Sequence, residues 1–403
     1  MAVINSIADR EQDMKAWRHL LHQHPETSYE EVWTSDFIAA KLQSFGIEIH
    51  RGMGKTGVVG VLRGNGNGTS AIGLRADMDA LPMQEMNEFA HASKTPGRMH
   101  ACGHDGHSTM LLGAAQYLAE TRNFDGTVYF IFQPAEEGGN GGEAMIKDGL
   151  FDQFDMKTVW GMHNWPGMDV GKIGVHSGAC MAAADFFEMR ITGSGGHAAI
   201  PDLAIDPIPC GAAIVQSLQS IVSRRVAALE PAVVSVTIFE SGSAFNVIPG
   251  SARLGGTARS FSPDVRKFLE ESIHEIAMAT AKAYDCEIEI DWQPGYPPTV
   301  NHAEESARAV DAAANVLGAE NIITDLQPSM GAEDFAYFTQ TEHKVPGVFF
   351  SVGGTPPQLM REIAAGRTNA PPHHSASFRI DPNSVKAGVE AMYTAAVELL
   401  NNP

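Results

Sequence analysis

Apolar positions in the first part of the chain predict two helices and then strands. Residues 6–45 have helical spacing, which is interrupted at His24-Pro25. Apolar runs at 58–62 and 71–74 flank the glycine-rich segment 64–68, and this arrangement predicts a β-hairpin. The same glycines could form a phosphate-binding loop, but a strand rather than a helix follows them, which favours the hairpin.

The next part of the chain alternates between helical and strand patterns. Helices are predicted at 107–121 and 142–149, and strands at 127–132 and 158–162. The strands are continuous apolar runs, as expected for an α/β sheet that is covered on both faces. Candidate site residues follow these runs, and open α/β sheets bind ligands beyond the carboxyl ends of their strands.

The pattern changes near residue 184. The predicted order from there is β-α-β-β-α-β, with strands at 185–191, 232–239, 252–260 and 286–292 and helices at 206–227 and 263–284. This order is typical of a ferredoxin-like unit. Residue types that commonly bind metal occur again after this unit, so we expect it to be an inserted domain. The chain is then divided into a first catalytic segment 1–183, an inserted domain 184–296 and a second catalytic segment 297–403.

Composition narrows the class of protein. At 403 residues two domains are expected, and the net charge of −20 argues against nucleic acid or an anionic membrane as a partner. The four cysteines are too few and too scattered for a disulfide framework, which indicates a reducing compartment. The first residues do not read as a signal peptide, and no apolar run reaches the length of a membrane span. We therefore expect a cytoplasmic enzyme.

Thiol, imidazole and carboxylate groups recur at close spacing, which indicates a metal site. Cys102 and His104 would face the same way in extended backbone. Glu136 and Glu137 follow an apolar strand, so one could bind metal while the other moves protons. His163 ends the next strand. Each has a simpler interpretation: a buried core cysteine, a solvated pair of charges, or a buried histidine with satisfied hydrogen bonds.

Further polar residues are less specific. His374 lies in a proline-rich, non-helical segment and is unremarkable by itself. His197 lies in a glycine-rich loop that could approach a ligand or could simply join a strand to a helix. Asn246 and Arg259 adjoin strand-like runs, and the guanidinium of Arg259 could grip a substrate carboxylate.

In combination, these motifs resemble the M20 metallopeptidase superfamily along essentially the whole chain. The resemblance is to its amidohydrolase branch, which contains hippurate hydrolases, N-acyl-amino-acid amidohydrolases and plant auxin-conjugate hydrolases. The motifs are Arg18–Glu26 (RHLLHQHPE), Leu74–Pro82 (LRADMDALP), Cys102–Asp105 (CGHD), Gln133–Glu137 (QPAEE) and Met330–Phe335 (MGAEDF). The resemblance implies a phosphorylase/hydrolase-like catalytic domain with a mixed central sheet and an inserted ferredoxin-like α+β lid domain.

The resemblance also implies a site with two divalent metal ions per subunit (Zn, Mn, Co or Ni). Its ligands would be Cys102, which would bridge the ions, His104, Glu137, His163 and His374. Glu136 would be the general base and acid, and Asp79 would support the metal centre. His197, Asn246 and Arg259 would contact the substrate from the lid, with His197 stabilising the oxyanion, and the lid implies a homodimer or homotetramer.

The hypothesis is therefore metal-dependent hydrolysis of the amide bond in a small-molecule N-acyl amino acid, such as hippurate. Dipeptidase or aminoacylase activity is the related alternative. A cysteine-nucleophile hydrolase, with Cys102 attacking and His104 or His107 as base, and a non-catalytic amino-acid-binding protein are alternatives of other classes. One departure from the family pattern is Asp202, where many relatives carry histidine. It leaves the metal chemistry untouched and bears on the acyl preference.

Overall fold

Two units make up the chain in the computed structural model, which describes residues 7, 9–340, 343 and 345–402. The first unit is formed by 1–178, 300–327 and 334–403, and the second by 179–299 and 328–333. The boundaries expected from the sequence, 184 and 296, lie inside the second unit. Among the described residues, no helix combines the length and the apolar character needed to cross a bilayer.

Helices account for much of the chain. They are α1 Glu11–Gln23, α2 Val32–Ser44, α3 His104–Thr121, α4 Glu136–Gly139, α5 Gly141–Lys147, α6 Leu150–Gln153, α7 Pro207–Ser220, α8 Pro263–Ala283, α9 Ala303–Leu317, α10 Ala336–Gln340, α11 Pro357–Ala364 and α12 Ser384–Asn401. The strands are β1 Glu48–Met53, β2 Gly57–Arg63, β3 Ala71–Asp77, β4 Thr127–Gln133, β5 Thr158–Asp169, β6 Ile173–Gly174, β7 Gly178–Met181, β8 Ala183–Thr192, β9 Gly196–His197, β10 Ala232–Ser241, β11 Val247–Ile248, β12 Ser251–Ser260, β13 Glu287–Pro294, β14 Thr299–Asn301, β15 Ile322–Ile323 and β16 Gly347–Thr355.

A mixed eight-stranded sheet organises the first unit, in the order β1-β2-β4-β3-β5-β16-β6-β15. Strands β4, β3, β5 and β16 run parallel to one another, whereas β1–β2, β2–β4 and β16–β6 are antiparallel pairs. All seven residues of β3 are buried. The parallel strands therefore direct their carboxyl ends, and the residues that follow them, toward one edge of the sheet.

The predicted hairpin between 58–62 and 71–74 was wrong. β4 lies between these two strands, antiparallel to β2 and parallel to β3. The glycine-rich loop crosses over β4, and its Gly64 N–H donates to the Gly126 carbonyl at 2.9 Å. Phe130 and Phe132 of β4 are completely buried in this central position. Their burial outweighs the local turn propensity of the glycines.

The second unit contains a four-stranded antiparallel sheet in the order β10-β12-β8-β13. Its chain order, β8-α7-β10-β12-α8-β13, is the predicted ferredoxin-like arrangement. Helices α7 and α8 share a hydrophobic core with the sheet, built from Ile214, Leu254 and Ile273 among others. The helix predicted at 206–227 is α7 followed by a π-helical turn, Ile221–Arg225. The predicted fold class is confirmed.

Candidate metal centre

The loop in front of α3 carries two of the predicted ligands, Cys102 and His104. Gly103 between them has a φ of 94°, and a Cβ there would lie 2.1 Å from the side-chain nitrogen of Asn164. Glycine accommodates both the left-handed backbone and this close approach. The expectation of extended backbone was therefore wrong: the chain turns between the two ligands, and His104 begins α3. His104 is completely buried, and Cys102, two residues earlier, is also buried.

The turn after β4 carries Glu136 and Glu137. Ala135 precedes them with φ 52° and ψ 42°, a left-handed conformation that costs a non-glycine residue roughly 1–2 kcal/mol. The Asp79 carboxylate accepts the backbone N–H groups of Glu136 and Glu137, each at 3.0 Å. Glu136 is only 6 % exposed. This burial does not fit a solvated pair of surface charges.

His163 lies within β5, which continues to Asp169 instead of ending at the histidine as predicted. Its Nδ1–H donates to the Asn164 carbonyl at 2.7 Å. Nε2 is therefore the unprotonated atom of the neutral ring, and it lies 3.3 Å from the Cys102 Sγ. Burial, reinforced by the neighbouring His107, holds the pKa of His163 well below its usual range. A neutral imidazole is the form that binds metal.

His374 is reached from the far end of the chain, in the segment between α11 and α12. Its backbone has a φ of 60°, and its N–H donates to the Ala101 carbonyl at 2.9 Å, which ties it to the loop that carries Cys102. Its Nε2 lies 3.0 Å from the Oε1 of Glu137, and its side chain is 53 % exposed. Tertiary contacts thus bring His374 to the other predicted ligands.

All five predicted ligands, together with Glu136, have ligand atoms in overlapping groups of three. Within each group these atoms lie within 4.8 Å of one another. The groups are Cys102–Glu137–His374, His104–Glu136–Glu137, Cys102–His163–His373 and His104–His107–His163. Residues from four separate parts of the sequence therefore converge on one small volume of the first unit.

Two further imidazoles, His107 and His373, lie in these groups. His107 Nδ1 donates to Asp77 at 2.6 Å, and its Nε2 accepts the Asn164 N–H at 2.8 Å. Both of its nitrogens are therefore engaged by protein groups. His373 Nε2 donates to the Asn164 carbonyl at 3.0 Å, and burial lowers the pKa of His373 to about 3. The sequence placed both residues next to predicted ligands, but spacing did not indicate these contacts.

The donor set fits divalent metal. His104 Nε2 is buried and has no hydrogen-bond partner among the described residues, a costly arrangement that a bound cation would relieve. The 3.3 Å Cys102–His163 and 3.0 Å Glu137–His374 separations resemble the roughly 3–3.6 Å between two donors on one tetrahedral zinc ion. Thiolate, imidazole and carboxylate together suit zinc and also admit manganese, cobalt or nickel.

Two aspartates orient His104. Its Nδ1 donates to Asp79 at 3.2 Å and lies 3.8 Å from Asp77. Burial disfavours the charged ring, but Asp77 and Asp79 together raise the pKa of His104 to about 10. Carboxylate partners of this kind fix the tautomer and make the opposite ring nitrogen a stronger metal ligand. The resemblance pointed to Asp79, whereas Asp77, two residues earlier in the same motif, was not predicted.

Arg75 holds several of these acidic groups in place. It is completely buried and donates to Gln133 at 2.8 Å, to Asp77 at 2.7 Å and to Asp334 at 3.0 Å. Arg75 therefore links the ends of β3 and β4 to the segment before α10. Burial raises the pKa of Asp334 to about 6 even though Arg75 opposes the shift.

Comparison with known proteins identifies the family. Residues 73–398 match the family described as Peptidase family M20/M25/M40. This chain belongs to that family. The hippurate hydrolase of Campylobacter jejuni is 43% identical over 340 residues, which cover 84% of this chain and 88% of that protein. The N-acyl-L-amino acid amidohydrolase of Geobacillus stearothermophilus is 45% identical over 299 residues, covering 73% and 80%.

A solved structure agrees with this assignment. The YxeP protein of Bacillus subtilis, described as a dinuclear metal binding peptidase from the M20 family, matches with a TM-score of 0.80 and 32% identity, over 98% of this chain and 100% of that one. The predicted M20 amidohydrolase family and the enzyme class are therefore confirmed. The specific ligand and catalytic roles stay predictions.

The second unit of this M20 enzyme carries the predicted lid residues. His197 on β9 pairs with Val247 on β11, and the Asn246 carbonyl accepts the Ala198 N–H at 3.1 Å, so His197 and Asn246 share one ribbon. His197 is exposed. Its Nδ1 accepts the Ala199 N–H at 3.1 Å. The neutral ring therefore carries its proton on Nε2, which makes that atom a hydrogen-bond donor.

Arg259 lies on β12 of the four-stranded sheet, whereas the ribbon is the separate two-stranded sheet of β9 and β11. Its Nε donates to Thr257 Oγ1 at 3.0 Å, and its guanidinium lies 5.8 Å from the centre of the Phe186 ring. Burial lowers the pKa of Arg259, and Asp185 partly opposes this. Among the described residues, no carboxylate lies within salt-bridge distance of Arg259. A half-buried guanidinium without an acidic partner can accept a carboxylate ligand.

Proposed function

We propose that this M20 enzyme hydrolyses the amide bond of N-acyl amino acids and releases a carboxylic acid and a free amino acid. The observation that carries the proposal is the position of Glu136, whose carboxylate lies within 4.8 Å of the ligand atoms of His104 and Glu137. Relatives named hippurate hydrolase and N-acyl-L-amino acid amidohydrolase support the substrate class. Dipeptidase or aminoacylase activity is the alternative with the same chemistry.

The proposal includes two divalent ions per subunit. Cys102, His104, Glu137, His163 and His374 would hold them, and the dinuclear description of the YxeP protein supports this number. When bound, such ions polarise a substrate carbonyl and lower the pKa of a water molecule toward neutrality. The structural support for metal at this place is His104 Nε2, which is buried without a hydrogen-bond partner among the described residues, and the close approach of Glu137 to His374 at 3.0 Å.

Glu136 is the proposed proton carrier. Its carboxylate takes one proton from the attacking water while the new carbon–oxygen bond forms. It then gives that proton to the amide nitrogen, so that the carbon–nitrogen bond breaks and the amine leaves neutral. Asp79 accepts the Glu136 N–H at 3.0 Å, so the backbone that carries the Glu136 carboxylate is held in place. Fixed placement of the base is what such a proton transfer requires.

The lid residues would act on the substrate. His197 would donate its Nε2–H to the oxyanion that develops at the carbonyl, and its tautomer, set by the 3.1 Å contact with Ala199, is the correct one for this role. Arg259 would bind the substrate carboxylate, and Asn246 would contact the substrate from the same ribbon as His197. These roles rest on the resemblance and on the hydrogen-bonding state of each side chain.

Chelation is expected to abolish hydrolysis of N-benzoylglycine and related N-acyl amino acids, and one of Mn²⁺, Zn²⁺, Co²⁺ or Ni²⁺ is expected to restore it. The melting temperature should fall with the metal, because an ion bound only by the folded state stabilises it. Turnover across a panel of acyl groups, with thermal unfolding of the same samples, measures both effects. Activity unaffected by complete metal removal would overturn the proposal.

His197→Ala is expected to lower kcat by ~10²–10³-fold, the usual cost of one lost oxyanion donor. Metal content should stay unchanged, because His197 belongs to none of the ligand groups in the described part of the chain. Steady-state kinetics and metal analysis on the same preparation test this. A variant with near wild-type kcat would remove His197 from the mechanism.

A cysteine-nucleophile hydrolase is the second candidate, because Cys102 Sγ lies 3.3 Å from His163 Nε2. In such a mechanism the base would be His163, rather than His104 or His107 as expected from the sequence. The thiol mechanism predicts activity that survives chelation and is lost on alkylation. A binding protein would instead show saturable binding of amino acids without turnover, so the chelation experiment separates all three.

We also propose a homodimer or homotetramer assembled through the second unit. Leu203, Leu229 and Phe245 of this unit are 77, 96 and 111 % exposed, and an interface there would remove their apolar surface from water. Strand β10 lies at the edge of its sheet and presents backbone groups to another strand. Sedimentation velocity would measure the assembly. The four cysteines, all among the described residues, are buried and form no disulfide, which fits the proposed cytoplasmic location.

A further inference from the structure

The segment between α1 and α2, residues 26–31, contacts the turn that carries Glu136. Ser28 Oγ donates to Asp79 at 3.0 Å and to the Glu137 carbonyl at 3.2 Å. Tyr29 donates its hydroxyl to the Gly139 carbonyl at 2.5 Å. The metal ligands come from other parts of the sequence, so the proposed mechanism assigns no role to this segment.

Glu31 makes the central contact. It is completely buried. Its Oε1 accepts the Ala135 N–H at 2.9 Å and the Tyr29 N–H at 2.9 Å, and its Oε2 accepts the Thr56 hydroxyl at 2.7 Å. Both oxygens are therefore engaged by protein donors, and Glu31 belongs to none of the possible metal-ligand groups among the described residues.

Two buried carboxylates thus hold three consecutive backbone N–H groups. Glu31 accepts that of Ala135, and Asp79 accepts those of Glu136 and Glu137. Ala135 is the residue in the left-handed conformation, with φ 52°. A non-glycine residue keeps this conformation when its surroundings impose it. The bond from Glu31 lies at the point where the chain turns from β4 toward the two glutamates.

We propose that Glu31 is a positioning residue that fixes the direction of the Glu136 carboxylate through the backbone of Ala135. The proposal rests on the proposed role of Glu136 as proton carrier. Without the carboxylate, the Ala135 N–H loses its acceptor and the strained turn can relax. Glu137, the proposed metal ligand on this turn, keeps its N–H bond to Asp79 and its contact with His374. Displacement of a reacting group by about 1 Å can cost ~10²-fold in rate, so small relaxation is enough to lower kcat.

Three variants of the metal-loaded enzyme test this. Glu31→Ala is expected to lower kcat by ~10–10²-fold, with KM and metal content within about twofold of wild type. Glu31→Gln is expected to recover most of the rate, because its amide oxygen can accept both N–H groups and its NH₂ can donate to the Thr56 hydroxyl. Glu31→Asp keeps the charge and shortens the reach. The kcat of Glu31→Asp should lie between those of the other two variants, and this variant replaces Glu31→Ala in the test if Glu31→Ala does not fold.

The matched control is Glu26→Ala. Glu26 accepts the N–H groups of Trp33 at 3.1 Å and Thr34 at 2.8 Å, at the start of α2. It is therefore a carboxylate cap in the same segment that does not bond to the Glu136 turn. Its loss should lower the melting temperature and leave kcat unchanged, which separates placement of Glu136 from general destabilisation.

Hydrogen exchange of metal-free protein gives a readout that does not depend on activity. Glu31→Ala should speed exchange in peptides covering 134–139, and Glu26→Ala should speed exchange at the start of α2 instead. Unchanged exchange at 134–139, a wild-type kcat for Glu31→Ala, or failure of Glu31→Gln to recover the rate would each overturn the proposal. If wild type hydrolyses no N-acyl amino acid, the proposed function fails, and unchanged exchange at 134–139 would still overturn the placement by Glu31.

Discussion

Glu136→Gln is expected to keep its metal and to lose ~10²–10⁴-fold in kcat, the usual contribution of a positioned acid–base group. The amide cannot take the proton from water or return it to the leaving amine. The Glu136 N–H still bonds to Asp79, at 3.0 Å in the wild-type structure, so the turn has no reason to change. Kinetics with N-benzoylglycine and metal analysis of the same sample measure the two quantities.

Glu137→Gln is the control for this experiment. Glu137 Oε1 is buried and lies 3.0 Å from Nε2 of His374, another predicted ligand. Its substitution is expected to lower metal content, with activity falling as a consequence. If Glu136→Gln lost the metal and Glu137→Gln kept it, the two roles would be exchanged. A near wild-type kcat for Glu136→Gln would rule out the proton-carrier role.

Arg75→Met is expected to destabilise the protein by about 3–5 kcal/mol, the typical cost of removing one partner from a buried ion pair. Arg75, Asp77 and Asp334 are all completely buried. Methionine fills similar volume but leaves Asp77 facing the imidazoles of His107 and His104 without the Arg75 charge. Asp334 also loses its ion pair with Arg75. The free energy of unfolding from urea titration, monitored by circular dichroism, measures the loss.

Arg51→Met is the matched control on the surface. Arg51 lies 2.5 Å from Asp36, and the two side chains are 44 and 61 % exposed. Exposed pairs contribute about 0–1 kcal/mol, so this variant should unfold close to wild type. If Arg75→Met cost no more than Arg51→Met, the buried network would not stabilise the protein as its geometry indicates.

Periodicity predicted most elements closely because side-chain spacing along one helix or strand is a local property. The helix expected at 263–284 is Pro263–Ala283, and the strand expected at 252–260 is Ser251–Ser260. The hairpin around 64–68 failed for the opposite reason. Strand pairing depends on residues far away in the chain, and β4 takes the place between the two flanking strands.

The chemistry of the candidate site was also largely readable. Residue types and motifs indicated a metal-binding hydrolase, and they pointed to five candidate ligands and to Glu136 as the candidate proton carrier, which the structure brings close together. They did not indicate Glu31 or Asp77, whose side chains reach the site through hydrogen bonds to Ala135 and to imidazoles. The sequence showed Glu31 only as a carboxylate a few residues after the Arg18–Glu26 motif. Spacing alone does not connect it to Ala135, which lies 104 positions later.

The sequence by itself determined the family, the α/β and ferredoxin-like elements and the donor types, because these depend on local periodicity and on residue identity. Tertiary structure decided which atoms are available. It showed that both nitrogens of His107 are engaged and that His104 Nε2 has no hydrogen-bond partner in the described part of the chain. It also placed His374 3.0 Å from Glu137, although the two are far apart in the sequence. Hydrogen-bond partners and burial set these properties, and both arise only when distant segments pack together.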